Sequence, residues 1–217
     1  MKKGLMVIDW LCISKYSQEE ISYFLFLEGK TMEAICKIRN LDNAIVQKHI
    51  IDGKIKYRFL VQSNDTDELF KKIVKAGKED KICFLNSLEE NNKNKLTTLI
   101  KTNYVEMHPK DKEAAVWIIG ELKEKSCLDI LIKASVHKYI NVRRMAVSAM
   151  GKIGDIRSEG ALLRALGDEN PQVISYAIKS LSIIKSEKAI SKIKYICTST
   201  DKKYIIDAAQ RFLLLME

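Results

Sequence analysis

The chain has 217 residues, 47% of them hydrophobic and 30% charged, and a formal net charge of +9. Two prolines and nine glycines leave little room for the many turns of a β-rich architecture, so a mainly helical chain is expected. No stretch approaches the roughly 18 consecutive apolar residues of a membrane-spanning helix, so no membrane partner is expected. The positive charge directs attention to acidic partners, nucleic acid first among them.

Met1-Lys2-Lys3 and the apolar stretch Leu5 to Ile13 have the beginnings of an export signal, but Asp9 interrupts the run and no small-residue cleavage site follows. Residues 1–15 are instead expected to form one short helix with Leu5, Val7, Ile8, Leu11 and Cys12 as its apolar stripe, and Trp10 packed against a neighbouring element. Cys12, Cys36, Cys83, Cys127 and Cys197 are far apart, form no C-x-x-C pair and fall in apolar, helical-looking stretches. They read as buried free thiols of a cytoplasmic protein. Lys123 and Lys125 precede Cys127 near a helix start, an arrangement able to lower a thiol pKa, although a buried structural thiol is the simpler expectation.

Ser17 with Glu20 three residues later is a capping box, opening a helix that holds Ile21, Phe24, Leu25 and Leu27. Gly29 ends it, and Thr31 starts a second helix, Met32 to Ile38, with Ala34, Ile35 and Ile38 turned inward. After a break at Arg39-Asn40, where Asn tolerates the left-handed conformation, Leu41-Asp42 caps a third helix running from Asn43 to Asp52 and ended by Gly53. Helix, tight turn and second helix of these lengths is a helix-turn-helix layout.

Residues Ser17 to Lys54 resemble the helix-turn-helix of quorum-type response regulators and the one appended to some RecQ-type helicases. The matching stretches are Glu28 to Ile35 and Leu41 to Ile50. The resemblance implies that Val46 and Ile50 are core, that His49 is structural, and that the exposed face of the reading helix carries Asn43, Ala44, Gln47 and Lys48. Asn and Gln can bond adenine with two hydrogen bonds in the major groove, and Lys54, Lys56 and Arg58 follow in place to neutralise phosphates. Ile45 stands where that family usually has a phosphate-touching threonine, and an apolar residue there implies a packed face.

Tyr57 to Val61 is a short apolar run, and the polar stretch Gln62 to Asp65 sets the expected boundary, giving domains 1–62 and 63–217. Residues 67–75 are expected to be a linking helix, and 78–88 with 94–104 a helix pair. Phe84 lies 31 residues before Ala115, so this pair reads as a degenerate first repeat.

From Lys110 onward the chain repeats every 31 residues. Ala115, Ala146, Ala177 and Ala208 share one phase, as do Gly120, Gly151 and Ser182. Further columns are Leu122, Ile153, Ile184 and Leu215, and Val142, Val173 and Tyr204. A fixed period of this size marks a stacked array, and the apolar spacing inside each unit is helical. Three helix pairs are expected, 110–122 with 126–137, 141–153 with 158–166, and 171–184 with 187–197, closed by a last helix over 201–216. The small residues mark close helix contacts that a larger side chain would overpack. The stretch Val142 to Asp155, continued by Ala161 to Asp168, resembles the HEAT-like repeats first recognised in phycobilisome lyases. The expected fold is thus all-α, a helix-turn-helix followed by an α-solenoid of three to four HEAT-like pairs.

Between Lys133 and Arg164 seven basic residues face two acidic ones, Asp155 and Glu159. The repeat resemblance makes Arg143 a structural arginine between repeats, and Lys138, Arg144, Arg157 and Arg164 are then the cations open to a partner. Nucleotide-binding loops, metal-ligand spacings and nucleophile elbows are missing from the sequence, so no cofactor and no enzymatic activity are expected. The expected function is that of a nucleic-acid-associated regulatory or scaffold protein, with double-stranded DNA held by the helix-turn-helix and the basic face of the array, and a protein partner on the array. The alternatives are an adaptor without DNA contact and a HEAT-like DNA alkylation-repair glycosylase using Trp117 and Tyr139 with Asp129 or Asp155.

Overall fold

A computed structural model describes residues 1–216. The chain is all-α apart from one small hairpin and divides into two compact units, residues 1–92 and 93–217.

The first unit opens on the hairpin, β1 (Lys2–Lys3) paired antiparallel with β2 (Met6–Val7), followed by a 3-10 stretch at Trp10–Lys15. This replaces the expected helix. Its backbone is held from outside, by the Leu5 N–H on the Leu60 carbonyl at 2.9 Å, and only Met6 and Ile8 of the apolar residues point inward. Val7 and Leu11 are exposed. Trp10 packs edge-on against Phe24 and its Nε1 donates to Glu28.

Three helices follow, α1 (Gln18–Leu27), α2 (Met32–Arg39) and α3 (Asn43–Gln62). The capping box at Ser17 and Glu20 is formed with both bonds present, and Thr31 caps α2 by accepting from the Ala34 N–H. Asn40 turns the chain in the left-handed conformation, at φ 50° and ψ 50°. Ile35 is fully buried, but Ile38 is 58% exposed, contrary to expectation.

Gly53 does not end α3, which continues for nine further residues and absorbs the Tyr57–Val61 run. Its role is steric: a Cβ at Gly53 would lie 2.2 Å from Cγ of Tyr23. Gly at this point lets α1 and α3 come together over an aromatic cluster in which the rings of Tyr23 and Tyr57 stack at 5.9 Å and Phe24 meets Tyr57 edge-on at 5.6 Å.

Helices α4 (Thr66–Lys75) and α5 (Lys78–Ser87) complete the unit. Both pack on α3, and Phe84 of α5 meets Phe59 at 4.8 Å. The compact unit therefore extends beyond the boundary expected at residue 62, because the extended α3 supplies the surface on which α4 and α5 rest. Phe84 belongs to this core and does not start a repeat.

The second unit holds most of α6 (Glu90–Asn103) and then the array. Its pairs are α7 (Pro109–Glu121) with α8 (Leu128–Ala134), α9 (Ile140–Ile153) with α10 (Glu159–Ala165), and α11 (Pro171–Ile183) with α12 (Ile190–Ser199), followed by α13 (Lys203–Met216). The alanines at 115, 146, 177 and 208 are all buried. Close contact runs between the first helices of successive pairs. A Cβ at Gly120 would stand 2.7 Å from the Cβ of Ala149, and one at Gly151 would stand 2.8 Å from the Cβ and 2.3 Å from the Oγ of Ser180. Ser180 also donates to the Val147 carbonyl at 2.9 Å. The contact is thus the same pair of positions, repeated one period later.

The periodic columns fail at the last helix. Val142 and Val173 are buried, whereas Tyr204 is 47% exposed, and Leu215 is 53% exposed where Ile153 is buried. The thiols also depart from expectation. All five cysteines are free, but Cys127 alone is buried and Cys83 is exposed. Burial pushes the Cys127 thiol up, against the smaller opposing effect of Lys101.

Gly151→Val is expected to destabilise the protein by about 1–3 kcal/mol through overpacking against Ser180, read as a lower urea midpoint. Gly160→Ala, at a position with nothing within 4 Å of the added carbon, should stay within about 0.5 kcal/mol of the parent.

Candidate nucleic-acid interface

The start of α3 presents the residues that can read a duplex, and α1 fixes how they are presented. Val46 and Ile50 are buried, and so is His49, whose Nδ1 lies 3.1 Å from Oγ of the fully buried Ser22 on α1. These inward residues leave the opposite side of the helix to solvent. Asn43, Ala44, Gln47 and Lys48 are all exposed. Their side chains make no hydrogen bond or ion pair with other described residues, so their donors and acceptors are available.

Farther along α3 the positive residues are already engaged. Lys56 Nζ pairs with Glu20 Oε1 at 2.7 Å, and Arg58 pairs with Asp80 at 2.9 Å while stacking 4.5 Å over Phe59. Lys54 lies 4.8 Å over the ring of Phe26 and is exposed. Lys56 and Arg58 therefore brace α3 against α1 and α5 and are not the unpaired phosphate contacts expected.

Glu20 is the hub of the brace. It receives Lys56, the Tyr57 hydroxyl and, through Oε2, the Ser17 N–H. Burial disfavours its ionised form, but the bonds from Lys56, Tyr57 and Ser17 outweigh burial and hold the carboxyl below the usual range. Burial and the bond to Glu20 push the Tyr57 phenol well up, so it stays a donor at all ordinary pH values.

Ile45, Ile51 and Ile55 are 42%, 49% and 62% exposed. Ile45 was expected to mark a packed face, and its exposure goes against that. Ile51 and Ile55 lie in line with Ala44 and Lys48 at spacings of three and four residues. Ile51 already lay within the expected helix; counting α3 on past Gly53 at helical period adds Ile55 to the same face.

The four array cations occupy four different parts of the repeat. Lys138 lies in the connection before α9, Arg144 on α9, Arg157 in the turn before α10 and Arg164 on α10. Arg157 is held by Asp155 through two bonds, at 3.0 and 2.7 Å, which draw the Asp155 carboxyl down to about 2. Arg144 is half-buried, its guanidinium 5.8 Å from the Tyr176 ring. It is thus a packing residue between repeats, not the open cation expected. Lys138 and Arg164 are exposed. Arg143 bridges repeats as expected, with bonds to Asp168 at 2.7 and 2.9 Å and to the His137 and Lys138 carbonyls.

Of the residues named for a glycosylase, Tyr139 and Asp155 are kept apart. Tyr139 and Asp155 flank opposite ends of α9, whose 14 residues span about 21 Å. Among the described residues, no three His, Cys, Asp or Glu side chains converge as a metal site requires, and no helix is long and apolar enough to cross a membrane.

A model of helix-turn-helix domains matches residues 18–102, and a model of HEAT repeats matches residues 96–161. No curated protein matches the chain. The order of the two matches agrees with the order of the two units, a helix-turn-helix part followed by a HEAT-like array.

Glu20→Gln is expected to lower stability by about 1 kcal/mol at pH 7, as a partly exposed carboxylate that accepts three hydrogen bonds is lost. Because the folded pKa of Glu20 is depressed, its contribution is present above the unfolded value of about 4.3 and fades as pH falls through the folded one. Denaturation of the two proteins at several pH values should therefore show the gap closing as pH drops below about 4.

Proposed function

We propose that this is a non-enzymatic DNA-associated regulatory or scaffold protein, in which α3 contacts double-stranded DNA and the array offers a surface to a protein partner. The observation that carries the DNA contact is the exposed, unpaired set Asn43, Gln47 and Lys48 at the start of a helix clamped by buried contacts. Asn and Gln amides suit adenine in the major groove, and Ile51, one turn beyond Gln47, suits a thymine methyl. The resemblance of residues 17–54 to helix-turn-helix domains supports the same use, as does the net charge of +9. The DNA contact is assigned to α3 because Arg144 and Arg157 are engaged within the array.

A second reading treats the α3 face as a protein-binding surface. The exposure of Ile51 and Ile55 favours it.

The two readings separate in a binding experiment with a pool of random-sequence duplexes, followed by fluorescence anisotropy at several salt concentrations. DNA contact by α3 predicts binding that weakens steeply with salt, a loss of about tenfold or more on the selected sequence for Gln47→Ala, and a salt slope smaller by about 1 for Lys48→Ala. Failure of the parent protein to retain any duplex at low salt would leave the protein-binding reading.

A further inference from the structure

The repeat pattern breaks at one junction, and the break opens a groove. Gly120 faces Ala149 and Gly151 faces Ser180. One period later the same two positions are Ser182 on α11 and Arg211 on α13. Neither is small enough for the earlier contact. In keeping with this, α13 packs less closely on α11, and more closely on its other neighbour α12, than the preceding first helices do. The space left between α11 and α13 is a groove of about 370 Å³, at the lower end of the size range of binding pockets.

Its lining combines an apolar floor with cations that form no ion pair among the described residues. Ala208 is buried beneath it, and Leu215 and the ring of Tyr204 are the two column members that the array fails to cover. Lys179 stands on the α11 side and Arg211 on the α13 side, both exposed. Lys179 rests near the Tyr176 ring but has no ion pair among the described residues. Arg211 has none either, although Asp207 is one helical turn away, a spacing that commonly forms such pairs.

We infer that the groove between α11 and α13 docks a partner protein through a short peptide segment in which a large apolar side chain stands beside an acidic one. The apolar side chain fills the floor over Ala208 and Leu215, and the carboxylate lies between Lys179 and Arg211. The apolar floor makes a phosphate backbone the poorer complement. This specifies the partner surface of the proposed scaffold role and is independent of DNA contact by α3.

The probe is a display library of random twelve-residue peptides, selected on the whole protein and then tested as labelled synthetic peptides by fluorescence anisotropy. Enrichment of peptides with Asp or Glu next to Leu, Ile, Met or Phe is expected, with affinity at least tenfold lower for Arg211→Glu and unchanged for Arg164→Glu. A Ser182→Gly/Arg211→Ala variant restores the small pair found at the earlier junctions. It should close the groove and lose the peptide without lowering the urea midpoint. Gln47→Ala/Lys48→Ala should bind peptide like the parent, so loss of DNA binding and loss of peptide binding are told apart. No enrichment of acidic-apolar peptides, or full affinity in both the Arg211→Glu and the Ser182→Gly/Arg211→Ala proteins, would overturn the assignment.

Discussion

Close approach of two helices at a position with no side chain is the constraint on which both units depend. In the first unit Gly53 admits the ring of Tyr23, so α1 and α3 share one aromatic cluster with Tyr57 and Phe24. In the second, Gly120 and Gly151 admit Ala149 and Ser180. Packing at this distance leaves no slack, so the partner of each glycine fixes where a whole helix lies. The presentation of Gln47 and Lys48 follows from the first of these contacts, and the regular spacing of α7, α9 and α11 from the others. Where the pair is not small, at Ser182 and Arg211, the regularity ends and a groove takes its place.

Polar contacts reinforce the same arrangement and decide which charges remain for partners. A net charge of +9 suggests a broadly positive surface, yet many of the cations are consumed internally. Lys56 and Arg58 brace α3, Arg143 ties one repeat to the next through Asp168, and Lys188 reaches Glu159 at 2.7 Å. Lys152 bridges to Glu121 one period earlier. The local excess between Lys133 and Arg164 is likewise divided among a loop, three helices and a turn. Charge counted along the chain therefore overstates what any single face presents.

Features fixed by neighbours in sequence were legible without a structure. The Ser17–Glu20 box, the Thr31 cap and the left-handed Asn40 are local devices, the 31-residue period exposed the array, and the resemblance to HEAT-like repeats implied the bridging role of Arg143. The exposure of Asn43, Gln47 and Lys48 was implied by the resemblance of residues 17–54 to helix-turn-helix domains. Illegible were the features set by distant partners. Gly53 read as a helix end because a glycine that stops a helix and one that admits a ring look alike in sequence. The hairpin at Lys2–Val7 depends on a carbonyl of α3, and Lys56 read as free because its partner Glu20 is 36 residues away. Tyr204 and Leu215 carried the signature of a repeat column, yet the last helix leaves both exposed.

Function on this account rests on α3 being a rigid, outward-facing reader held from behind by α1. Backbone amide shifts of the isotopically labelled protein, recorded while duplex DNA is added, test this most directly. The largest changes are expected from Asn43 to Ile51, with smaller ones at Lys54 and little change across α7 to α13. Changes confined to the array, or none at low salt, would contradict DNA contact through α3.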